Sequence, residues 1–330
     1  MADRENKNLP TTWVDVVKAV SEGGLPQVIA GPAGKAISRL IAGAADIPAA
    51  WLNSKAQSIK DETDARTTIM KAVAKASAES AMADPQLLDR ALARYVSDLH
   101  KKQENREAVA QKAFEELSDG PAPEDSAGPS EDWMNVFEEY AEKASSEELR
   151  TTWAKVLAGE IRRPTSFSLK TLQFLSVLDK ATAQATESVL SRCFDSRYAI
   201  LPTQARGQLF AELTIARLAG IIGQIDVDTE NTKTTNEDGA AIFSFGKKSV
   251  VARCAAGYAI KTECASVSLI GQELYPVIEP RPSEEAILDF ISRLQKQPGV
   301  NEIQRGDVSH EGGITFASNL ITVWIRPSTP

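Results

Sequence analysis

Few side chains in this sequence combine the types and spacing that chemistry requires. Cys193, Cys254 and Cys264 form no paired set, and the two histidines, His100 and His310, are far apart. A zinc site needs clustered Cys, His or carboxylate ligands. His100 sits in the charged run LHKKQENRE, which reads as a solvated surface. Gly34 and Lys35 stand together, but the phosphate-loop spacing G-x-x-x-x-G-K-[ST] is absent. No G-x-S-x-G, H-E-x-x-H, G-x-G-x-x-G or kinase-like set occurs. The acid pairs Glu147-Glu148 and Glu284-Glu285 fall at helix starts, where the macrodipole accounts for them. The expectation is therefore no catalytic residue, no metal and no cofactor. An unrecognised enzyme, such as a nuclease built from scattered Asp, Glu and Lys, stays open as an alternative.

Two other groups of residues could bind something. Lys247, Lys248 and Arg253 surround a turn between two strand-like runs, 241–245 and 249–255, that follow a helical run at 204–223. Helix then paired strands is winged-helix order. The three basic residues would be its nucleic-acid contacts, and a winged-helix DNA-binding regulator is the alternative function. The second group lies in the Gly/Ala-rich segment 24–53. Ile37, Leu40, Ile41 and Ala44 share one helical face, with Lys35 and Arg39 on the other. Two readings fit. One is a small-residue helix packed tightly on the rest of the chain. The other is an amphipathic membrane or oligomer face. Lys35, Arg39 and Asp46 argue against a resting transmembrane state.

The elements around these groups centre on Glu131–Leu178. Trp133, Phe137, Tyr140, Ala141 and Ala144 repeat at helical spacing, with Ser130 as N-cap. A second helix opens at Ser145-Ser146-Glu147-Glu148, where Ser145 and Glu148 have capping-box spacing. It carries Leu149, Trp153, Val156, Leu157 and Ile161, and Pro164 stops it. A third, capped by Ser166 or Ser168, carries Leu169, Leu172, Leu175 and Leu178. Trp133, Trp153, Gly159 and Glu160 form the expected structural hub. Gly159 lies inside a helix, at a cost of about 1 kcal/mol relative to Ala, which suggests close approach of another backbone. Glu160 is expected to reach donors at the start of the third helix rather than to act chemically.

The string Leu149…Trp153-Ala154-Lys155-Val156-Leu157-Ala158-Gly159-Glu160-Ile161…Pro164…Ser168-Leu169-Lys170-Thr171-Leu172 resembles the signature of the bacterial family domain of unknown function 2806. The later Leu269-Ile270-Gly271-Gln272-Glu273-Leu274 resembles that family's L-T-x-x-G-x-E-L segment, with Ile270 where Thr is usual. The resemblance extends over roughly residues 25–280 and brings no catalytic residues with it. The N-terminal pattern is also similar in composition to abortive-infection proteins of the alpha type. Together these imply a setting in phage defence.

Composition bounds the rest. The chain has 330 residues, 42% hydrophobic and 25% charged, with net charge −8, as in an ordinary soluble globular protein. An acidic balance argues against general nucleic-acid binding. Three cysteines suit a reducing cytosol, and MADRENKNLP lacks a signal-peptide core. The expected fold is mainly α. It comprises a helical N-terminal region (1–118) of long bundle arms, a linker (119–130), a central helical domain (131–225) and a smaller α+β part (239–330), winged-helix-like plus a hairpin. The expected function is that of a non-enzymatic interaction or effector protein. It would be cytoplasmic, peripheral to the inner membrane when activated, and partnered by another protein or by copies of itself.

Overall fold

The computed structural model describes residues 32–42, 85–119, 127–202, 206–223, 229–311 and 314–327. Ala44 and most of the linker lie outside these residues. The chain divides into two compact units, Met1–Leu172 and Gln173–Pro330.

In the first unit the elements are α1 (Pro32–Ala42), α2 (Pro85–Ser118), α3 (Glu131–Ala141) and α4 (Glu147–Arg162), with α5 (Leu169–Ser176) crossing the boundary. Ser130 caps α3, accepting from Trp133 N–H. The cap of α4 is Ser146, which accepts from Leu149 N–H, rather than Ser145. The helix starts at Glu147, which makes Ser146 the residue whose side chain can reach the Leu149 amide three positions on. The core is aromatic. The rings of Trp133 and Phe137 stack at 4.9 Å, and Phe137 meets Trp153 edge-on at 5.5 Å. Val109, Ala110 and Ala113 of α2 are fully buried. The first half of α2 differs, since residues 93–100 are all exposed.

The second unit holds α6 (Lys180–Leu190), β1 (Cys193–Phe194), β2 (Tyr198–Ala199), α7 (Gly207–Leu218), β3 (Thr229–Thr234), β4 (Ala240–Phe245), β5 (Lys248–Arg253), β6 (Ala259–Ser266), α8 (Leu269–Ile278), α9 (Glu284–Gln295), β7 (Glu302–Glu311) and β8 (Ile314–Ile325). The strands form two antiparallel four-stranded sheets, ordered β1-β2-β6-β3 and β4-β5-β7-β8. The mainly α, winged-helix-like expectation is therefore corrected. The two strands taken for a wing are half of a sheet whose other half is the C-terminal hairpin. β5 pairs with β4 on one side and β7 on the other, with Val250 opposite Arg305. Its Ser249, Val250, Val251 and Ala252 are all buried, as befits an inner strand rather than a wing. The polar run Thr229–Thr234 is strand β3.

This unit's core joins that sheet to α9. Phe290 packs edge-on to Phe243 at 4.9 Å and Phe245 at 5.4 Å, and lies 5.1 Å from Phe194. The β1–β2 turn places Asp195 and Ser196 at φ 50° and 54°, a left-handed pair that usually calls for Asn or Gly. Gly271 in α8 lies close to its neighbours. A Cβ there would come 2.5 Å from a Val267 methyl and 3.1 Å from the Ile221 carbonyl.

Candidate functional site

The amphipathic segment is docked. In α1, Ile37 is 1% and Leu40 0% exposed; Ile41 is half-buried and Lys35 exposed. α1 lies against α2 and α4. Its apolar spacing buries one face there, as helical periodicity requires. The Gln103 amide of α2 donates to the Ile41 carbonyl at 2.7 Å, satisfying an end group that the helix itself leaves unpaired.

Arg39 belongs on the polar face by spacing, yet it is not solvated. Its guanidinium donates to Glu131 at 2.8 Å and to the Asn135 side-chain oxygen, and its Nε lies against a Glu138 carboxylate oxygen. Glu131, Asn135 and Glu138 fall at i, i+4 and i+7 of α3, one stripe that a single arginine fork can span. Glu131 is 81% exposed, but the Glu138 side chain is only 10% exposed. Burial pushes the Glu138 carboxyl above its ordinary value, and Arg39 and Arg106 only partly offset this. Ser38 Oγ is shielded from solvent and has no hydrogen-bond partner among the described residues. Such a hydroxyl costs roughly 1–3 kcal/mol. α1 is thus held by burial and one ionic clamp, and opposed by two desolvated groups.

The four hub residues form a single latch. Glu160 accepts from the amides of Thr165 at 2.7 Å and Phe167 at 3.0 Å, in the loop leading to α5. Thr165 has φ 70°, a strained setting that this fork helps to hold. The indole N–H of Trp133 donates to the Phe167 carbonyl at 2.8 Å, and Trp153 is buried beside Phe137. Gly159 faces the Phe167 ring rather than a backbone, and a Cβ would come within 2.7 Å of it. Gly159→Ala should therefore destabilise by about 1–2 kcal/mol, with overpacking outweighing the gain in helix propensity. Chemical denaturation of the two proteins checks this, and a stabilised variant would contradict it.

Of the basic residues Lys247, Lys248 and Arg253, the first two are exposed and Arg253 is half-buried. Lys248 pairs with Asp307 at 2.9 Å and Arg253 Nε donates to Gln304 at 3.3 Å; only Lys247 lies in the exposed turn. Burial pushes the Cys264 thiol up to about 11 and raises Cys254 and Cys193 as well, the opposite of an activated thiolate. Among the described residues no group of three or more His, Cys, Asp or Glu side chains is placed to hold a metal. No described helix is long and apolar enough to cross a membrane.

Sequence reasoning missed a second cluster. Asp195 Oδ1 accepts from both the amide and the hydroxyl of Ser244 at 2.9 Å, and its Oδ2 pairs with Lys233 at 2.6 Å. Lys233 also donates to the Ile242 carbonyl and lies over the Phe243 ring. Forty-nine residues separate Asp195 from Ser244, so no local spacing signals the pair.

What these features define is a helical unit with a clamped amphipathic segment, followed by a two-sheet α+β unit. Residues 89–200 match the family model described as protein of unknown function (DUF2806). The match ends before Leu269–Leu274. No curated protein and no solved structure matches, and similarity to alpha-type abortive-infection proteins is not shown.

Proposed function

We propose that the chain is a non-enzymatic interaction protein of bacterial phage defence whose α1 is a docked, releasable segment. The observation that carries this reading is the combination at α1. Ile37 and Leu40 are fully buried, and one arginine clamps them against an acidic stripe in which Glu138 is already destabilised by burial. Release would expose an apolar face flanked by Lys35 and Arg39, suited to self-association or to an anionic membrane surface.

Dye leakage from anionic vesicles tests the membrane branch. Arg39→Ala should cause leakage at concentrations where the parent protein does not, and adding Ile37→Asn to it should abolish the effect. Phage challenge of a strain expressing the chain tests the setting, with higher culture survival than the empty strain expected. Absence of leakage from every released variant, with no change in self-association, removes the release reading.

A further inference from the structure

The contacts described for α1 are made with α2, α3 and α4, all of which lie beyond residues 43–84 in sequence. Ile37 and Leu40 are buried where α1 lies against α2 and α4. Arg39 reaches Glu131, the Asn135 side-chain oxygen and Glu138 along α3. Gln103 of α2 closes the helix end by donating to the Ile41 carbonyl. An apolar seat, an acidic stripe and an end-group donor thus stand at a spacing that fits this one helix. None of them depends on which copy of the chain supplies it.

We propose that a released α1 docks in the α2–α3–α4 groove of a second copy, so that two copies exchange their α1 helices about a two-fold axis. Exchange of an identical element between protomers is a low-cost route to a dimer, because the contacts it makes are those of the single chain. The proposal rests on the release reading and names the partner of the freed face.

Three observations favour a second copy over another occupant. The first is complementarity. An anionic surface would meet Lys35 and Arg39, but it holds no apolar seat for Ile37 and Leu40 and no fixed counterpart of the Gln103 amide. The second is the state of the emptied groove. Glu138, whose side chain is only 10% exposed when α1 is docked, loses its nearest cation when α1 leaves. A membrane-bound α1 leaves its own groove empty, whereas mutual exchange refills both grooves and buries both apolar faces. The third is reach. Residues 43–84 separate Ala42 from Pro85, and any chain of that length can span about 60 Å as a helix, twice the diameter of a small domain. Docking within one chain and between two makes the same contacts, so protein concentration and the length of this connection decide between them. Exchange therefore grows with concentration and with any condition that frees α1.

Isotope mixing tests the proposal on the full chain. Arg39→Lys keeps the cation and gives carbodiimide an amine to join to Glu131 or Glu138. Equal amounts of nitrogen-15-labelled and unlabelled chain are concentrated together in sub-denaturing urea and returned to buffer. Size exclusion should then show a dimer fraction that grows with concentration, in the parent protein as in the variant. Within the variant's dimer, about half of the crosslinks should join a labelled peptide to an unlabelled one, as random exchange between identical copies requires. The monomer fraction should hold same-isotope crosslinks alone. A dimer whose crosslinks all join peptides of one isotope, or a chain that stays monomeric throughout the series, would overturn the proposal. Vesicle leakage by Arg39→Ala without mixed crosslinks would remove the exchange and leave the release reading standing.

Discussion

Arg39→Ala is expected to destabilise the helical unit by about 3 kcal/mol, the low end for removing one partner of a buried ion pair. The cost comes less from the lost attraction than from what is left behind. Glu138 would remain 10% exposed without its nearest cation, and Asn135 would lose its donor. Exposed Glu131 should contribute little. Glu138→Gln provides the counterpart. A carboxyl whose folded pKa is raised stabilises most below its unfolded value, near 4.5, and loses that contribution as pH climbs through the folded value. At neutral pH the ionised Glu138 is thus a net cost against its protonated form. Glu138→Gln should leave stability unchanged or slightly higher, and should flatten its pH dependence just above 4.5. Urea unfolding of the two variants from acidic to neutral pH reads both effects. A large loss for Glu138→Gln would mean that Coulomb attraction, not burial, dominates this pair.

Asp195→Ala should cost the α+β unit a similar amount, about 3 kcal/mol. Two left-handed, non-glycine residues at the β1–β2 turn carry roughly 1–3 kcal/mol of strain each and persist only while their surroundings fix them. The substitution also removes the acceptor of the Ser244 amide and hydroxyl, and the partner of Lys233. Asp195→Asn keeps an oxygen for Ser244 but loses the ion pair, so its loss should be smaller, about 1 kcal/mol. A second consequence follows from geometry. With Asp195 truncated, the outer edge of β4 is unplugged, and heated samples should become turbid sooner than stability alone explains. Thermal melts with parallel light scattering distinguish the two effects. Equal losses for Ala and Asn would assign the role to charge rather than to the backbone plug.

What the sequence carried and what it did not divides along chain distance. The Trp133–Phe137–Tyr140 and Trp153–Val156–Leu157 spacings specify α3 and α4, because helical period is local. The strands around Lys247 and the hairpin near residue 312 were legible for the same reason. Their partnership was not. β5 finds β7 some fifty residues later, as in the pairing of Val250 with Arg305, and neither run encodes the other. The run Ser249-Val250-Val251-Ala252 was the available hint that β5 is an inner strand, since an exposed wing has no use for four consecutive small or apolar residues. At α1, periodicity gave the apolar face and placed Arg39 opposite it. It could not show that the opposite side meets α3, where a carboxylate stripe turns a solubilising residue into a clamp. β3 was hidden by composition: Thr and Asn read as loop until β6 supplies a pairing partner from Cys264 to Ala259.

The two halves of α2 lead to a different kind of expectation. Starting a helix is unfavourable by about a thousandfold, while each added residue near a good former costs almost nothing. The docked half, with Val109, Ala110 and Ala113 sealed, supplies that start. The bare half from 93 to 100 then exists by propagation alone. Its amides should exchange with deuterium quickly and increasingly fast toward the N-terminus, without any cooperative step, whereas those near Val109 should exchange only when the whole unit opens. One continuous helix would therefore show two melting behaviours, a gradual shortening from its exposed end on warming and a single sharp loss at the other.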